Sequence, residues 1–190
     1  MAGENIGCVY SLEDFPKLEE KIVWFKYVSQ LALALGAKQK PIEVTMREET
    51  DADLLSEQTL LCGFYPYMIE KVFQHMLQKN ISPELAYYEC FEESFLILKA
   101  LRDLGPEKFF EMISPNALIG SQDAYQNLPH HALDQFIQQQ WIKIQDGRFQ
   151  AIIDRKDSFK TIKNKTLAYW SKSSLTETFN SIRGRTNEET

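Results

Sequence analysis

Two pairs of carboxylates, each spaced four residues apart, are the side chains of this sequence best suited to chemistry. Asp53 and Glu57 lie in "DADLLSEQ", and Glu89 and Glu93 lie in "YECFEE" with Glu92 beside them. Residues at this spacing share one face of an α-helix, where like charges cost roughly a few tenths of a kcal/mol. Because that cost is small, the spacing alone is also typical of a solvated acidic surface.

The neighbours of the second pair favour a site over a solvated surface, because they leave little room for a fully hydrated face. Carboxylates that face one another in a partly buried site need a counter-charge. Hard divalent cations, Mg²⁺ above all, prefer all-oxygen ligands. Two helices with such pairs can bridge two metal ions, which act as Lewis acids on a bound carbonyl or hydroxyl. The neighbours are Tyr87, Tyr88, Cys90, Phe91, Phe95, Leu96 and Ile97.

Local signals place both pairs on helices. The second pair lies on the clearest helix of the chain, which Ser82 caps, Pro83 opens and Gly105 ends. The first pair lies on a helix that Thr50 or Asp51 can cap. Both pairs are therefore expected at regular helical positions.

The rest of the chain also reads as helix, so the predicted fold class is all-α. Gly63 and Pro66 predict a kink or break after the first pair. Strands, if any, are limited to the connector near 42–46. The other predicted helices run from Pro16 to Gly36, over "PEKFFEMI", over "HHALDQFIQQQWIKIQDG" up to Gly147, and as one helix over much of 155–183.

Composition and cysteine usage point to a cytoplasmic globular protein. The 190 residues are 44% hydrophobic, which suffices for one domain with a sizeable core, or for one domain plus a terminal extension. No apolar run reaches the roughly 18 residues of a membrane span, and "MAGENIGCVY" lacks the features of a signal peptide. Cys8, Cys62 and Cys90 follow no metal-finger or redox pattern.

The net charge of −6 is unevenly distributed, since residues 141–190 carry ten Lys and Arg against six Asp and Glu. A basic segment such as "DRKDSFKTIKNK" can contact nucleic acid or a membrane surface. It is also typical of a solvated helix face or a clamp on an acidic domain. The second interpretation is favoured because the segment lacks the combination of basic and aromatic residues that binds nucleic-acid bases. We therefore expect neither a nucleic-acid nor a membrane partner.

Several motifs resemble the ketol-acid reductoisomerase family. "REETDADLLSEQTLLCG" (47–63) is similar to its Glu-Glu-Thr motif, which leads into Asp-Leu-x-x-Glu-Gln and Leu-Cys-Gly. "SPELAYYECFEESFLI" (82–97) resembles the next helix of the family. "MISPNALIG" (112–120) resembles the stretch that supplies a substrate-binding serine. The order and spacing of these motifs agree from about 47 to 121, which is a far more specific signal than any single motif.

The resemblance implies a metal site with Mg²⁺, or Mn²⁺ in its place, and a small-molecule substrate. Asp53 would bridge two ions and Glu57 would hold one of them. Glu89 and Glu93 would complete the metal and substrate site, supplied by the partner subunit in short family members. Asp53, Glu57 and Glu93 are the implied catalytic residues. The implied substrate contacts are Ser114, at the substrate carboxylate, and Ile113, Ile97 and Cys62, near its apolar part.

The resemblance also implies a fold, that of the family's C-terminal knotted domain. This domain is an all-α bundle, and in short family members two chains intertwine in it as a homodimer. On this basis we expect an N-terminal extension at 1–15 and the helical domain at 16–153. A divergent basic helix and tail is expected at 154–190.

Departures from the family limit what the chain can do. Family enzymes begin with a Rossmann domain that binds NADPH, whereas only about 45 residues precede the first motif here. These contain no G-x-G-x-x-G and leave no room for a βαβ sheet, although "GCVY" at 7–10 resembles a remnant of the last Rossmann strand. Glu92 stands in place of a usual histidine, and Phe64 in place of a usual second glycine. We therefore expect no NADPH site in this chain and no hydride transfer by it alone.

The leading hypothesis is a stand-alone Mg²⁺-binding domain. It would do metal-assisted, non-redox chemistry of the isomerase, lyase or cyclase type on a substrate like a keto or hydroxy acid. One alternative is a non-catalytic dimeric scaffold or partner-binding protein. Another is the helical half of a split or truncated reductoisomerase, with a separate Rossmann-domain protein as its partner.

Overall fold

Helices dominate the protein, as predicted. The computed structural model describes residues 7–15 and 17–188, with side chains through residue 184. Eleven α-helices, two short π-helical turns and two strands occur in these residues. Contacts between residues divide the chain after Glu57 into two compact units. No helix in the described ranges is long and apolar enough to cross a membrane.

The first unit contains a small βαβ arrangement followed by a helix. Strands β1 (Val9–Tyr10) and β2 (Ile42–Glu43) pair in parallel, and helix α1 (Leu18–Ala34) connects them. Helix α2 (Met46–Ser56) follows. The expectation that no βαβ arrangement fits before the first motif was wrong, because two strands of two residues each need only one crossover helix. Strand β2 lies in the connector near 42–46, as predicted, but the expectation that strands are limited to that connector was wrong, because β1 lies in "GCVY", the stretch that resembles a strand remnant.

The boundaries of α1 and α2 follow backbone signals that differ partly from the predicted ones. The predicted start at Pro16 lies outside the described residues. At the other end, Gly36 follows α1 with a φ of 96°, which suits the glycine stop that was predicted. Helix α2 is capped by Thr45, whose hydroxyl accepts a hydrogen bond of 3.0 Å from the backbone N–H of Glu48. The predicted cap at residues 50–51 was therefore wrong by about one and a half turns.

The second unit is a set of nine helices within the described residues. The break predicted at Gly63 and Pro66 is confirmed, since a helix starts there with Pro66 in its first turn. The last stretch is two helices rather than one, because the hydroxyl of Ser173 caps a new start. The helices are α3 (Tyr65–Gln78), α4 (Pro83–Tyr87), α5 (Glu93–Leu104), α6 (Pro106–Met112), α7 (Pro115–Gln126), α8 (His130–Gln145), α9 (Arg148–Ile153), α10 (Ser158–Trp170) and α11 (Ser174–Glu188).

Two π turns interrupt the helical pattern. The first π turn (Glu57–Leu61) follows α2, and the second π turn (Tyr88–Glu92) joins α4 to α5. In such a turn a backbone N–H bonds to the carbonyl five residues earlier instead of four. The helix predicted from Ser82 to Gly105 thus exists, but with one wide turn in its middle.

The core of the second unit lies between α3, α4 and α11. Its buried members are Ile69 and Phe73 from α3, Ala86 and Tyr87 from α4, and Leu175 from α11. The contacts among these side chains connect the beginning of the second unit to its end, since α11 lies about 100 residues after α3 in the sequence. Burial of such apolar area is the main favourable term in folding.

One carboxylate is buried beside this core. Glu70 is only 1% exposed. It accepts hydrogen bonds from the Tyr169 hydroxyl at 2.6 Å and from the Gln74 amide at 3.2 Å. The bond to Glu70 is the main cause that raises the pKa of Tyr169. Buried carboxylates need such donors, so Glu70 ties α10 to α3.

Candidate metal and substrate site

Asp53 and Glu57 lie one helical turn apart, as predicted. The backbone N–H of Glu57 bonds to the carbonyl oxygen of Asp53, which is the regular α-helical pattern. Both side chains are exposed. The pair therefore presents two carboxylates on one face at the end of α2.

The first π turn begins at Glu57 and depends on a glycine that follows it. A Cβ atom on Gly63 would lie 1.8 Å from the backbone oxygen of Gln58. No side chain fits in that space, so the wide turn and Gly63 require each other. Glu57 is thus held at the junction between a regular helix and a turn whose geometry a glycine permits.

Glu89 and Glu93 lie on the second π turn and at its end. Both side chains are exposed. The backbone N–H of Glu93 bonds to the carbonyl of Tyr88, five residues back. The regular helical spacing predicted for this pair was therefore wrong, because the extra residue in the turn shifts Glu93 relative to Glu89. The pair still projects two carboxylates from neighbouring turns.

The two pairs belong to different units of the chain. Within the part of the chain that the structure describes, no three His, Cys, Asp or Glu side chains form a group that could hold a metal ion. The donor chemistry fits Mg²⁺, since all four groups are carboxylates and exposed to an incoming ion. Each pair by itself supplies only two of the ligands, so the implied four-residue set stays a prediction.

The residues expected at the substrate lie on three elements of the second unit. Cys62 follows the first π turn and is exposed, and Ile97 lies exposed on α5. Ile113 is half-buried just before α7. Ser114 caps α7, and its hydroxyl accepts a hydrogen bond of 3.2 Å from the N–H of Ala117. Their roles toward a substrate stay predictions.

Sequence reasoning missed a hydrogen-bonded group beside the second pair. The hydroxyl of Tyr87 donates to Glu92 Oε1 at 2.6 Å, and Arg183 Nη2 donates to the same oxygen at 2.9 Å. From the sequence, Glu92 is recognisable as a neighbour of the pair and as a replacement for a histidine, but not as a hydrogen-bond acceptor. Arg183 lies 91 residues away, so no local spacing could have indicated it.

Burial, followed by the hydrogen bond to Glu92, raises the pKa of Tyr87 from 10.0 to about 12. The folded state therefore holds this proton more tightly than the unfolded chain. The resulting stabilisation is full below about pH 10 and is lost as the pH rises to about 12, and it amounts to about 2–3 kcal/mol. Chemical unfolding at a series of alkaline pH values should show this loss. Tyr87→Phe should flatten it, whereas Tyr125→Phe, at an exposed ring, should leave the wild-type slope.

The fold and the two acidic motifs define an all-α domain with one pair of carboxylates at the end of α2 and a second pair on and directly after the second π turn. The sequence profile of the ketol-acid reductoisomerase C-terminal domain matches residues 46–186 of this chain. The match covers most of the protein, including both acidic pairs and most of the basic C-terminal segment. The chain belongs to the ketol-acid reductoisomerase C-terminal domain family.

Curated relatives of this chain are named as whole ketol-acid reductoisomerases, of which it matches a part. The ketol-acid reductoisomerase (NADP(+)) of Corynebacterium diphtheriae is 29% identical over 147 residues, which cover 77% of this chain and 43% of that enzyme. That of Mycolicibacterium smegmatis is 30% identical over 118 residues, or 62% of this chain and 34% of the enzyme. The chain thus spans less than half the length of the curated relatives it matches.

A solved structure supports the fold assignment. The NADH-preferring ketol-acid reductoisomerase from an uncultured archean matches with a TM-score of 0.72 at 22% sequence identity. The match covers 83% of this chain and 48% of that one. The predicted all-α fold of the family's C-terminal domain is confirmed, and the intertwined homodimer stays a prediction.

Proposed function

We propose that this chain is a Mg²⁺-binding domain that performs metal-assisted, non-redox chemistry on a substrate like a keto or hydroxy acid. The observation that carries the proposal is the exposed pair Asp53 and Glu57, one turn apart at the end of α2 and inside the segment of the family match. A solvated acidic face needs no glycine-dependent wide turn at its edge. A functional pair benefits from one, since π turns are frequent at functional sites.

The residues of the chain suit distinct tasks in such a site. Asp53 and Glu57 supply hard oxygen ligands, and a bound Mg²⁺ would supply a Lewis acid for a carbonyl or hydroxyl oxygen. Glu93 can accept a proton or a hydrogen bond from a substrate hydroxyl. The Ser114 hydroxyl can still donate to a substrate carboxylate, because its bond to α7 uses only a lone pair.

The substrate class follows from the same residues. Ile113, Ile97 and Cys62 offer apolar surface, which suits a short aliphatic chain beside the polar groups. The reaction class proposed is an isomerisation, a lyase reaction or a cyclisation. Hydride transfer is not proposed for this chain alone, because we assign it no site for a nicotinamide cofactor.

Titration calorimetry with Mg²⁺ and with Mn²⁺ tests the metal proposal. We expect wild type to bind and Asp53→Asn to lose at least about tenfold in affinity, since a ligand charge is removed. Asp134→Asn makes the same chemical change at an exposed position of α8 and is expected to bind like wild type. Absence of binding by wild type, or equal binding by all three proteins, would refute the proposal.

We also propose that the chain acts as a homodimer. Helices α5, α7, α8, α9 and α10 contain no buried residue in this single chain. On α5 the consecutive residues 95–98 are all apolar and each at least 45% exposed. Between α9 and α10 lies an open apolar cleft of about 550 Å³. Exposed apolar surface of this extent marks an interaction site. A second copy of the chain would bury it, and would bring Glu89 and Glu93 of one copy to Asp53 and Glu57 of the other.

Mass and mixing experiments test the dimer. Sedimentation should give twice the chain mass of 22.1 kDa at micromolar concentration. Asp53→Asn and Glu93→Gln should each bind Mn²⁺ weakly. Dimers mixed from the two variants by joint refolding should regain one intact site, because both changes then fall in the other site. A monomeric mass, or no gain on mixing, would contradict the shared site.

The βαβ arrangement of the first unit supports a second candidate function. Parallel strands normally lie inside larger sheets covered on both faces, and β1 and β2 pair only with each other within the described residues. A Rossmann-type sheet from another polypeptide could extend this pair, which would make the chain the helical half of a reductoisomerase. Co-purification of a nucleotide-binding protein, with NADPH-dependent activity restored on mixing, would support this alternative. A tight dimer without metal binding would instead support a scaffold.

A further inference from the structure

We propose that Arg183, acting through Glu92, is a positioning residue for Glu89 and Glu93, an inference that rests on the metal function proposed above. Glu92 lies in the second π turn, between the two members of the acidic pair. Although it is a third carboxylate within five residues, we assign it a supporting role rather than that of a metal ligand. Its Oε1 already accepts two hydrogen bonds, from Tyr87 and from Arg183.

The two donors approach Glu92 from different parts of the fold. Tyr87 is fully buried and belongs to α4, directly before the turn. Its hydroxyl donates to Glu92 Oε1 at 2.6 Å. Arg183 belongs to α11, and its guanidinium forms an ion pair of 2.9 Å with Glu92. The turn is thereby bonded to the C-terminal helix as well as to its own helix.

Aromatic packing holds α11 against the same turn. The Phe179 ring centre lies 6.4 Å from that of Tyr87 and 6.1 Å from that of Phe91. The Arg183 guanidinium lies 5.8 Å from the centre of the Phe179 ring, within the range of cation–π attraction. Leu175, also on α11, is buried in the core beside Tyr87. Arg183 is thus itself held in place while it holds Glu92.

The wide turn needs this support. π turns are rare and occur mostly as single turns inside α-helices, so one persists where contacts outside the helix favour it. The carboxylates of Glu89, Glu92 and Glu93, in and directly after this turn, also repel one another, and Arg183 supplies a cation at Glu92. Without Arg183 the repulsion within the turn grows, and Glu89 and Glu93 lose their common support. Outer groups that orient metal ligands typically change metal affinity by about 10–100-fold.

Mn²⁺ binding and amide hydrogen exchange on the full chain test the proposal together. Arg183→Met should weaken Mn²⁺ binding by about tenfold, and Arg183→Lys should recover part of the loss. Glu92→Gln should bind within about threefold of wild type, because its amide oxygen accepts the same two hydrogen bonds. Arg155→Met is the control, since it removes one positive charge from an exposed position between α9 and α10. It should bind like wild type.

The hydrogen-exchange measurement tests the positioning role of Arg183 in protein without bound metal. In metal-free protein the amides of residues 89–93 should exchange faster in Arg183→Met than in wild type or Arg155→Met. If wild type binds no Mn²⁺, the proposed function fails, and faster exchange still supports the positioning role. If Arg183→Met and Arg155→Met show the same affinity and the same exchange, the positioning role is refuted. Loss of Mn²⁺ binding in Glu92→Gln would overturn the assignment of Glu92 as a non-ligand.

Discussion

Replacing Gly63 by alanine is expected to lower the free energy of unfolding by about 3 kcal/mol or more. The new Cβ would lie 1.8 Å from the backbone oxygen of Gln58 and 2.7 Å from its carbonyl carbon. Both are main-chain atoms, so the first π turn itself must move. For a chain of this size such a loss lowers the melting temperature by about 6–12 °C. Thermal unfolding followed by circular dichroism measures the effect, and Mn²⁺ affinity should fall with it because Glu57 begins the turn.

The same substitution at Gly120 provides the control. Gly120 lies within α7, and a Cβ there would meet no atom within 4 Å. Alanine in a helix interior is favoured over glycine by up to about 1 kcal/mol. Gly120→Ala should therefore leave the melting temperature unchanged or raise it. A Gly63→Ala protein as stable as Gly120→Ala would show that the first π turn does not depend on its glycine.

Phe73→Ala is expected to cost about 3–5 kcal/mol, the range for removing a buried phenylalanine. Phe73 is 0% exposed and lies at the centre of the core between α3, α4 and α11. The cavity would be lined by Ile69, Tyr87 and Leu175, which belong to three different helices, so the surroundings cannot easily collapse into it. Urea unfolding should show a lower midpoint with an unchanged slope.

A second phenylalanine makes this prediction specific. Phe110 on α6 is 41% exposed, so Phe110→Ala removes less buried area and should cost about 1 kcal/mol. The difference in unfolding free energy between the two variants measures the contribution of core burial, because both variants remove one phenylalanine ring. Equal losses would mean that the core of the second unit lies elsewhere.

The helices could largely be predicted from sequence because their ends carry local signals. Ser82, Pro83 and Gly105 mark a helix through the chemistry of single residues, and the structure confirms all three. The start of α2 was predicted too late because a local signal was missed: Thr45 and Glu48 have the Thr-x-x-Glu spacing of a capping box, and Thr45 caps the helix. The pairing of β2 with β1 had no such local signal, since it joins Ile42 to Val9, 33 residues earlier. No window of local sequence contains both strands.

The π turns could not be predicted because they do not follow the ordinary helical period. Around Glu89 the apolar residues fit an α-helix nearly as well as a helix with one residue added. What distinguishes the two is the support from Tyr87 and Arg183, and Arg183 comes from the far end of the chain. At the first π turn the signal was Gly63, which was interpreted only as a break.

The acidic motifs were the most predictable part of the candidate site. Asp53 and Glu57 share a helix face, as their spacing indicated. The arrangement of all four carboxylates around one site could not be tested by spacing, because the pairs lie in different units of the chain. Local sequence predicts which side chains a helix presents, and it carries little information about which other surface they meet.

Deleting one residue from the second π turn would leave a regular α-helix running from α4 into α5. Each residue of an α-helix turns the chain by about 100°, so α4 would rotate by that angle relative to α5. Tyr87 would then point away from Phe179 and Leu175, and the core of the second unit would have to be rebuilt. Along this stretch the number of residues is therefore expected to be constrained as strictly as their identity.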